Sequence, residues 1–287
     1  MKKYIYAFLF ILFADFSVYA EENPRVVSLS PSLTEIVFQL GKGTCLVGRS
    51  AVCNYPEEAS KIPVAGNLGS PYMEKLAVLK PSILIISSFQ DPSVRKTLEN
   101  MGVKVVVLPM DSIDCYFSGV KELGKILHCE AAAEKEIERV KKGLESFKEN
   151  IKSTVPEKRP LVYLEVWNSP LMTVGRKSFI NDFISYAGGK NVAGNEAKDY
   201  FTCSEEWVII SNPDIIISPA MGKEQMKDIL KRSGWAGITA IKNKRVYLAL
   251  NQDLIYRLGP RILEGIEIIN KCIYPEKEGD KKGVCAN

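Results

Sequence analysis

The side chains best placed for chemistry in this sequence suit holding and docking rather than bond breaking. Two glutamates open near-copies of one phrase, MEKLAVLKPSILIIS from Met73 to Ser87 and EEWVIISNPDIIIS from Glu205 to Ser218. In each, a proline stands seven residues after the glutamate, Glu74 to Pro81 and Glu206 to Pro213, and a β-rich run follows the proline. A carboxylate repeated in this way shows the same charge twice, which suits charge-assisted contacts to a partner that itself has two halves. Each glutamate also complements the positive end of the helix it opens, an effect of about a few tenths of a kcal/mol.

Motifs for catalysis are thin. The chain has one histidine, His128, and neither G-x-S-x-G nor H-E-x-x-H occurs. No motif pairs two carboxylates for glycoside chemistry. A secreted hydrolase is therefore the alternative from another class, and the first reading is not an enzyme. No C-x-x-C occurs beside the single histidine, so no metal site is assigned.

The elements that must position these residues follow from periodicity. RVVSLS (Arg25 to Ser30) reads as a strand, and Ser32 with Glu35 reads as a capping box for the helix that Gly41 ends. Helices and strands then alternate through VKVVVLP, as in a parallel α/β lobe. VKELGKIL forms one further helix. EAAAEKEIERVKKGLESFKENIKS forms a long one with a single apolar stripe of Ile137, Val140, Leu144, Phe147 and Ile151. The α/β order restarts at RPLVYLEV and ends with the helix in GPRILEGIEIINKCIYP. The expected fold is two Rossmann-like α/β lobes, 21–128 and 154–275, joined by one backbone helix, 129–153. A signal peptide (1–20) precedes them and a charged tail (276–287) follows.

Composition agrees with an exported globular protein. The 287 residues are 46% apolar and 25% charged with a formal net charge of +4, and no basic cluster marks a nucleic-acid partner. Lys2 and Lys3, the apolar run from Tyr4 to Ala14, and small residues at Val18 and Ala20 form a signal-peptide layout with cleavage after Ala20. Seven cysteines in an oxidising compartment leave at least one without an intrachain partner. Cys272 and Cys285 are candidates to staple the tail, whereas a Cys53–Cys203 bridge would close the groove between the lobes.

VVSLSPSLTEIVFQLG, VGRSAVCNYPEEASKIPVAG, EKLAVLKPSILI and GPRILEGIE occur in that order. Together they resemble the helical-backbone (class III) periplasmic binding proteins of ABC importers for vitamin B12, haem and iron-siderophores. The resemblance runs from about Arg25 to Pro275 and is nearest to the vitamin B12-binding members through GPRILEGIE and NYPEEA. It implies a periplasmic, monomeric receptor with no resident cofactor, which captures a metal chelate and hands it to a permease and its ATPase. Cobalamin leads, and haem or a ferric siderophore is the alternative. A zinc or manganese receptor and a ligand-free scaffold rank lower. The resemblance also implies that Glu74 and Glu206 dock against arginines of the membrane subunits.

The ligand is expected in the inter-lobe cleft, on loops at the strand ends. Candidate loops are Ser50 to Tyr55, Gly66 to Tyr72, Ser87 to Asp91, Trp167 to Leu171, Tyr200 to Cys203 and Asn251 to Arg257. The candidate contacts are Cys53, Tyr55, Phe89, Trp167, Tyr200, Tyr256 and Arg257. Tyr200 matches a ligand-contacting aromatic position of the vitamin B12-binding relatives, and Trp167 lies on a loop that lines their cleft. Arg49, Arg176 and Arg257 are cations able to meet an anionic group, with lobe bracing as the competing role. Trp207 and Trp235 fall in helical patterns and read as structural. The first-lobe cleft tryptophans of those relatives have no counterpart here.

Overall fold

A computed structural model describes residues 24–89, 91–152 and 158–275. The expected signal peptide and charged tail, with Cys285, lie outside the described residues. The first lobe runs β1 (Val26–Ser28), α1 (Pro31–Gln39), β2 (Leu46–Ser50), β3 (Val64–Asn67), β4 (Ser70–Pro71), α2 (Met73–Leu79), β5 (Ile83–Ile86), α3 (Ser93–Asn100), β6 (Lys104–Val107) and α4 (Ile113–Ile126). Helix α5 (Glu130–Ile151) follows, and at about 1.5 Å per residue its 22 residues make a rod of roughly 33 Å. The second lobe runs β7 (Leu161–Asn168), β8 (Leu171–Val174), α6 (Phe179–Tyr186), β9 (Lys190–Asn191), β10 (Tyr200–Thr202) and α7 (Glu205–Ser211). It closes with β11 (Ile215–Ser218), α8 (Met226–Lys231), α9 (Thr239–Lys242), β12 (Val246–Leu248), α10 (Gln252–Ile255) and α11 (Ile262–Ile273).

The first sheet has the order β4-β3-β2-β1-β5-β6 and is parallel except for β4. In the second, β7, β11 and β12 are parallel, β9 joins β7 in parallel, β8 runs antiparallel to β7, and β10 runs antiparallel to β8 on its outer side. That ribbon corrects the sequence reading. Trp167–Leu171 and Tyr200–Cys203 were expected as loops, yet Trp167 and Asn168 belong to β7, and Tyr200–Thr202 pair with Met172–Val174. Cross-strand hydrogen bonding to β8 supplies what the local turn residues did not announce.

Strand alternation explains how one rod serves two lobes. Val26, Ile83, Ile85, Val162, Leu164, Ile215 and Ile217 point into one core together with Ala133, Ile137, Val140 and Leu144 of α5. Their neighbours point the other way: Val27, Leu84 and Ile86 pack with Leu76 of α2, and Tyr163 and Ile216 with Val208 of α7. Strands buried on both faces carry continuous apolar runs, as these do. The expected stripe on α5 is the buried one, with Phe147 packed half-buried at its edge.

At the start of α1 the capping-box reading is overturned. Ser30 is the N-cap, Pro31 occupies the first turn, and no side chain caps the helix. Glu35 is 3% exposed and reaches the other lobe instead. Among the described residues the six cysteines are free thiols, and no helix is long and apolar enough to cross a membrane.

Candidate ligand groove and docking tips

The segment after β2 meets the segment around α10, so strand ends of the two lobes face each other. Asn54 Nδ2 donates to Asp253 Oδ2 at 3.0 Å. Arg257 donates to Asn54 Oδ1 at 2.7 Å and to the Val52 carbonyl at 3.2 Å, and pairs with Asp253 at 2.7 Å. Behind them, Arg261 forks onto Glu35 through Nε at 2.9 Å and Nη2 at 2.7 Å, and Arg257 reaches Glu35 at 3.4 Å. Burial works against the charge of Arg261, but its bonds to Glu35 hold the guanidinium above its usual pKa. The Arg261 cation also lies 3.9 Å from the centre of the Tyr55 ring. This ionic clamp ties α1 to the start of α11. Sequence reasoning missed Glu35 and Arg261 in this role. One signal was present: a lone carboxylate inside the apolar run SLTEIVF.

The sequence-predicted contacts separate on these facts. Trp167 is 56% exposed, and its Nε1 donates to the Ser169 carbonyl at 2.9 Å, which holds the indole in place. Tyr200 is exposed over 42% of its surface, yet burial pushes its hydroxyl pKa upward, and Asp199 and Asp111 add to the rise. Tyr256 is half-buried, donates to the Glu165 carbonyl at 3.3 Å, and has its hydroxyl pKa raised by burial and then by Glu165. Tyr55 and Tyr72 keep exposed faces.

Three expected contacts are drawn away. Cys53 is buried, with its thiol 3.1 Å from both Thr34 Oγ1 and Ser50 Oγ. Phe89 packs half-buried against the outer core of the first lobe. Arg257 spends its donors on the clamp. Arg49 is likewise committed, to the carbonyls of Ser50, Ala51, Ser60 and Ile62. Arg176 is exposed and lines a cavity on the second lobe with Arg159 and Lys190. Trp235 is fully buried, and Trp207 stacks edge-on with Phe201.

Behind the Trp167 wall, Glu165 is fully buried and is held by Arg232 at 2.6 and 3.0 Å and by Ser218 at 3.3 Å. The Arg232 guanidinium covers Trp235 at 4.5 Å. This buried pair anchors β7 two residues before Trp167. Among the described residues no group of three or more His, Cys, Asp or Glu side chains is placed to hold a metal. His128 sits in the turn between α4 and α5.

Glu74 and Glu206 are both exposed, on seven-residue helices of the outer layers. Each helix ends in a left-handed residue, Lys80 (φ 45°) and Asn212 (φ 42°), before a buried proline. The repeated phrase is thus a repeated structure. Hydrogen bonds from its own backbone N–H and from Ser204 hold the Glu206 carboxyl below the usual range.

The periplasmic binding protein family model matches residues 26–252. The chain belongs to the periplasmic binding protein family. An ABC transporter substrate-binding lipoprotein of Bacillus subtilis is 30% identical to this periplasmic binding protein, over 89% of this chain and 82% of its own. A vitamin B12-binding protein of Vibrio parahaemolyticus is 25% identical, over 93% and 95%. Among solved structures, a possible iron-binding periplasmic solute-binding protein from Staphylococcus epidermidis superposes with a TM-score of 0.78 at 30% identity, covering 88% of this chain and 100% of its own. A periplasmic haem-binding protein from Pseudomonas aeruginosa gives 0.79 at 25% identity, with 89% and 94% covered. These likenesses agree with two sheets built around a single long helix, the class III architecture.

Proposed function

We propose that this periplasmic binding protein is the substrate-binding component of an ABC importer and captures a bulky metal chelate, cobalamin first, between its lobes. The observation that carries the reading is the set of exposed aromatic faces, Trp167 and Tyr200 on one lobe and Tyr55 and Tyr72 on the other. Rigid aromatic surfaces bury a large flat ligand at low conformational cost. The vitamin B12-binding and haem-binding relatives support a ligand of that class. Cobalamin leads because vitamin B12-binding proteins are among the relatives that match over most of both chains. Haem or a ferric siderophore is the second reading. The exposed phenol of Tyr72 favours it, since a tyrosinate can hold haem iron. The protein acts as an exported monomer, cut after Ala20, and catalyses no reaction.

Titration of the mature protein with cyanocobalamin, haemin and a ferric catecholate, followed by tryptophan fluorescence, tests the reading. Trp167 is exposed and Trp235 buried, so ligand quenching reports on Trp167 and shrinks in Trp167→Phe. Saturable binding of cyanocobalamin in preference to the others supports the first reading. Preference for haemin or the catecholate moves the assignment to the second. Failure to bind any of the three, or turnover of ester, glycoside or peptide substrates, overturns the proposal.

A further inference from the structure

Among the described residues, the two most exposed large hydrophobic side chains are Ile210 at 83% and Val78 at 77%. Single exposed aliphatics are ordinary on protein surfaces and need no explanation. These two are not independent. Val78 lies four residues after Glu74, and Ile210 four residues after Glu206. Both helices have the same length, bury the residue two after the glutamate (Leu76, Val208), and each closes with a left-handed residue followed by a buried proline. A separation of four places the aliphatic and the carboxylate on one side of each helix, about 5–6 Å apart at Cβ. A β-branched residue is a poor choice for an exposed helical position on propensity grounds. The chain makes that choice twice, at equivalent points of its two halves.

We infer that Val78 and Ile210 are the apolar halves of two matching docking tips, each pairing an aliphatic side chain with a carboxylate. The inference deepens the importer reading and rests on it. The partner it fits is the two-fold permease of that importer, each half offering a guanidinium or ammonium group beside an apolar socket. Charge complementarity argues for the cation, and repetition of the tip on both lobes argues for the paired partner. In such a contact the carboxylates set register and encounter rate, while the aliphatic side chains supply affinity through water exclusion. Burial of one Val or Ile side chain corresponds to about a tenfold gain in affinity or more, and of both to on the order of a hundredfold.

The test measures binding of the mature protein to the importer's permease–ATPase complex in lipid nanodiscs, beside ligand affinity and thermal stability. Val78→Ser with Ile210→Ser is expected to weaken the complex about a hundredfold while ligand binding and thermal midpoint stay unchanged. Exchange of the two residues, Val78→Ile with Ile210→Val, retains binding. Glu74→Ala with Glu206→Ala weakens the complex as well. If the glutamate variant loses binding and the serine variant does not, the aliphatic assignment is wrong and the importer reading stands. If neither variant changes binding, both fall.

Discussion

Deletion of the Glu35 carboxylate gives the sharpest test of how the lobes are held. Glu35 is 3% exposed at its side chain and is shared by Arg261 and Arg257, themselves 12% and 15% exposed. In Glu35→Ala, Arg257 keeps Asp253, Asn54 and the Val52 carbonyl, whereas Arg261 keeps the Tyr55 ring. The cost is therefore set by one guanidinium losing its fork. Breaking a buried pair costs about 3–5 kcal/mol, and the residual cation–π contact offsets roughly 1–2 kcal/mol. A loss of about 1–4 kcal/mol follows, and at about 2–4 °C per kcal/mol for a chain of this size the midpoint falls by roughly 2–16 °C. Urea unfolding followed by circular dichroism measures it, with Glu35→Ala, Arg261→Ala and the double variant forming a cycle. The double variant should lose far less than the sum of the singles, because it leaves no orphaned charge. A single-variant loss under about 0.5 kcal/mol, or strictly additive effects, would refute the clamp.

Four further outcomes are expected. Arg232→Met should destabilise the second lobe by about 3 kcal/mol or more, through the uncompensated Glu165, and adding Glu165→Gln should restore most of that. Burial pushes the Cys272 thiol up to about 12, so above pH 9 the folded state holds a proton that the unfolded chain releases. Stability should then fall as pH rises from about 9 towards 12, and Cys272→Ala should flatten that fall in thermal scans. Small-angle scattering of free and loaded protein should nearly superimpose, since α5 and the clamp both oppose a wide hinge, and marked compaction would contradict this. Glu74→Ala with Glu206→Ala should keep ligand affinity and abolish uptake into cells, with unchanged uptake as the contrary result.

What was legible in the sequence is what local patterning controls. The stripe on α5 recurs every three or four residues and is buried as read. The repeated phrase announces two equivalent helix-to-strand turns because helix, left-handed stop, proline and strand are all short-range features. Glu35 was misread for the complementary reason. Its position favours a capping box, but its partners lie 222 and 226 residues away, and no window of sequence shows them. Trp167 and Tyr200 were read as loop residues but lie on strands, since the ribbon that carries them depends on pairing across β8. Cys53 and Arg257 stand in loops by sequence, and only packing reveals that the thiol is enclosed and the guanidinium already spent.

The shared core along α5 gives the molecule a fixed ruler. Both outer helices are mounted on sheets whose inner faces rest on that one rod, so the span between Glu74 and Glu206 is set by the same side chains that set the separation of the two sheets. On the proposed importer reading, a change in girth along Ile137, Val140 or Leu144 would therefore alter cargo fit and permease fit together. Diversification of cargo should then run through groove loops and leave the rod's apolar seam alone.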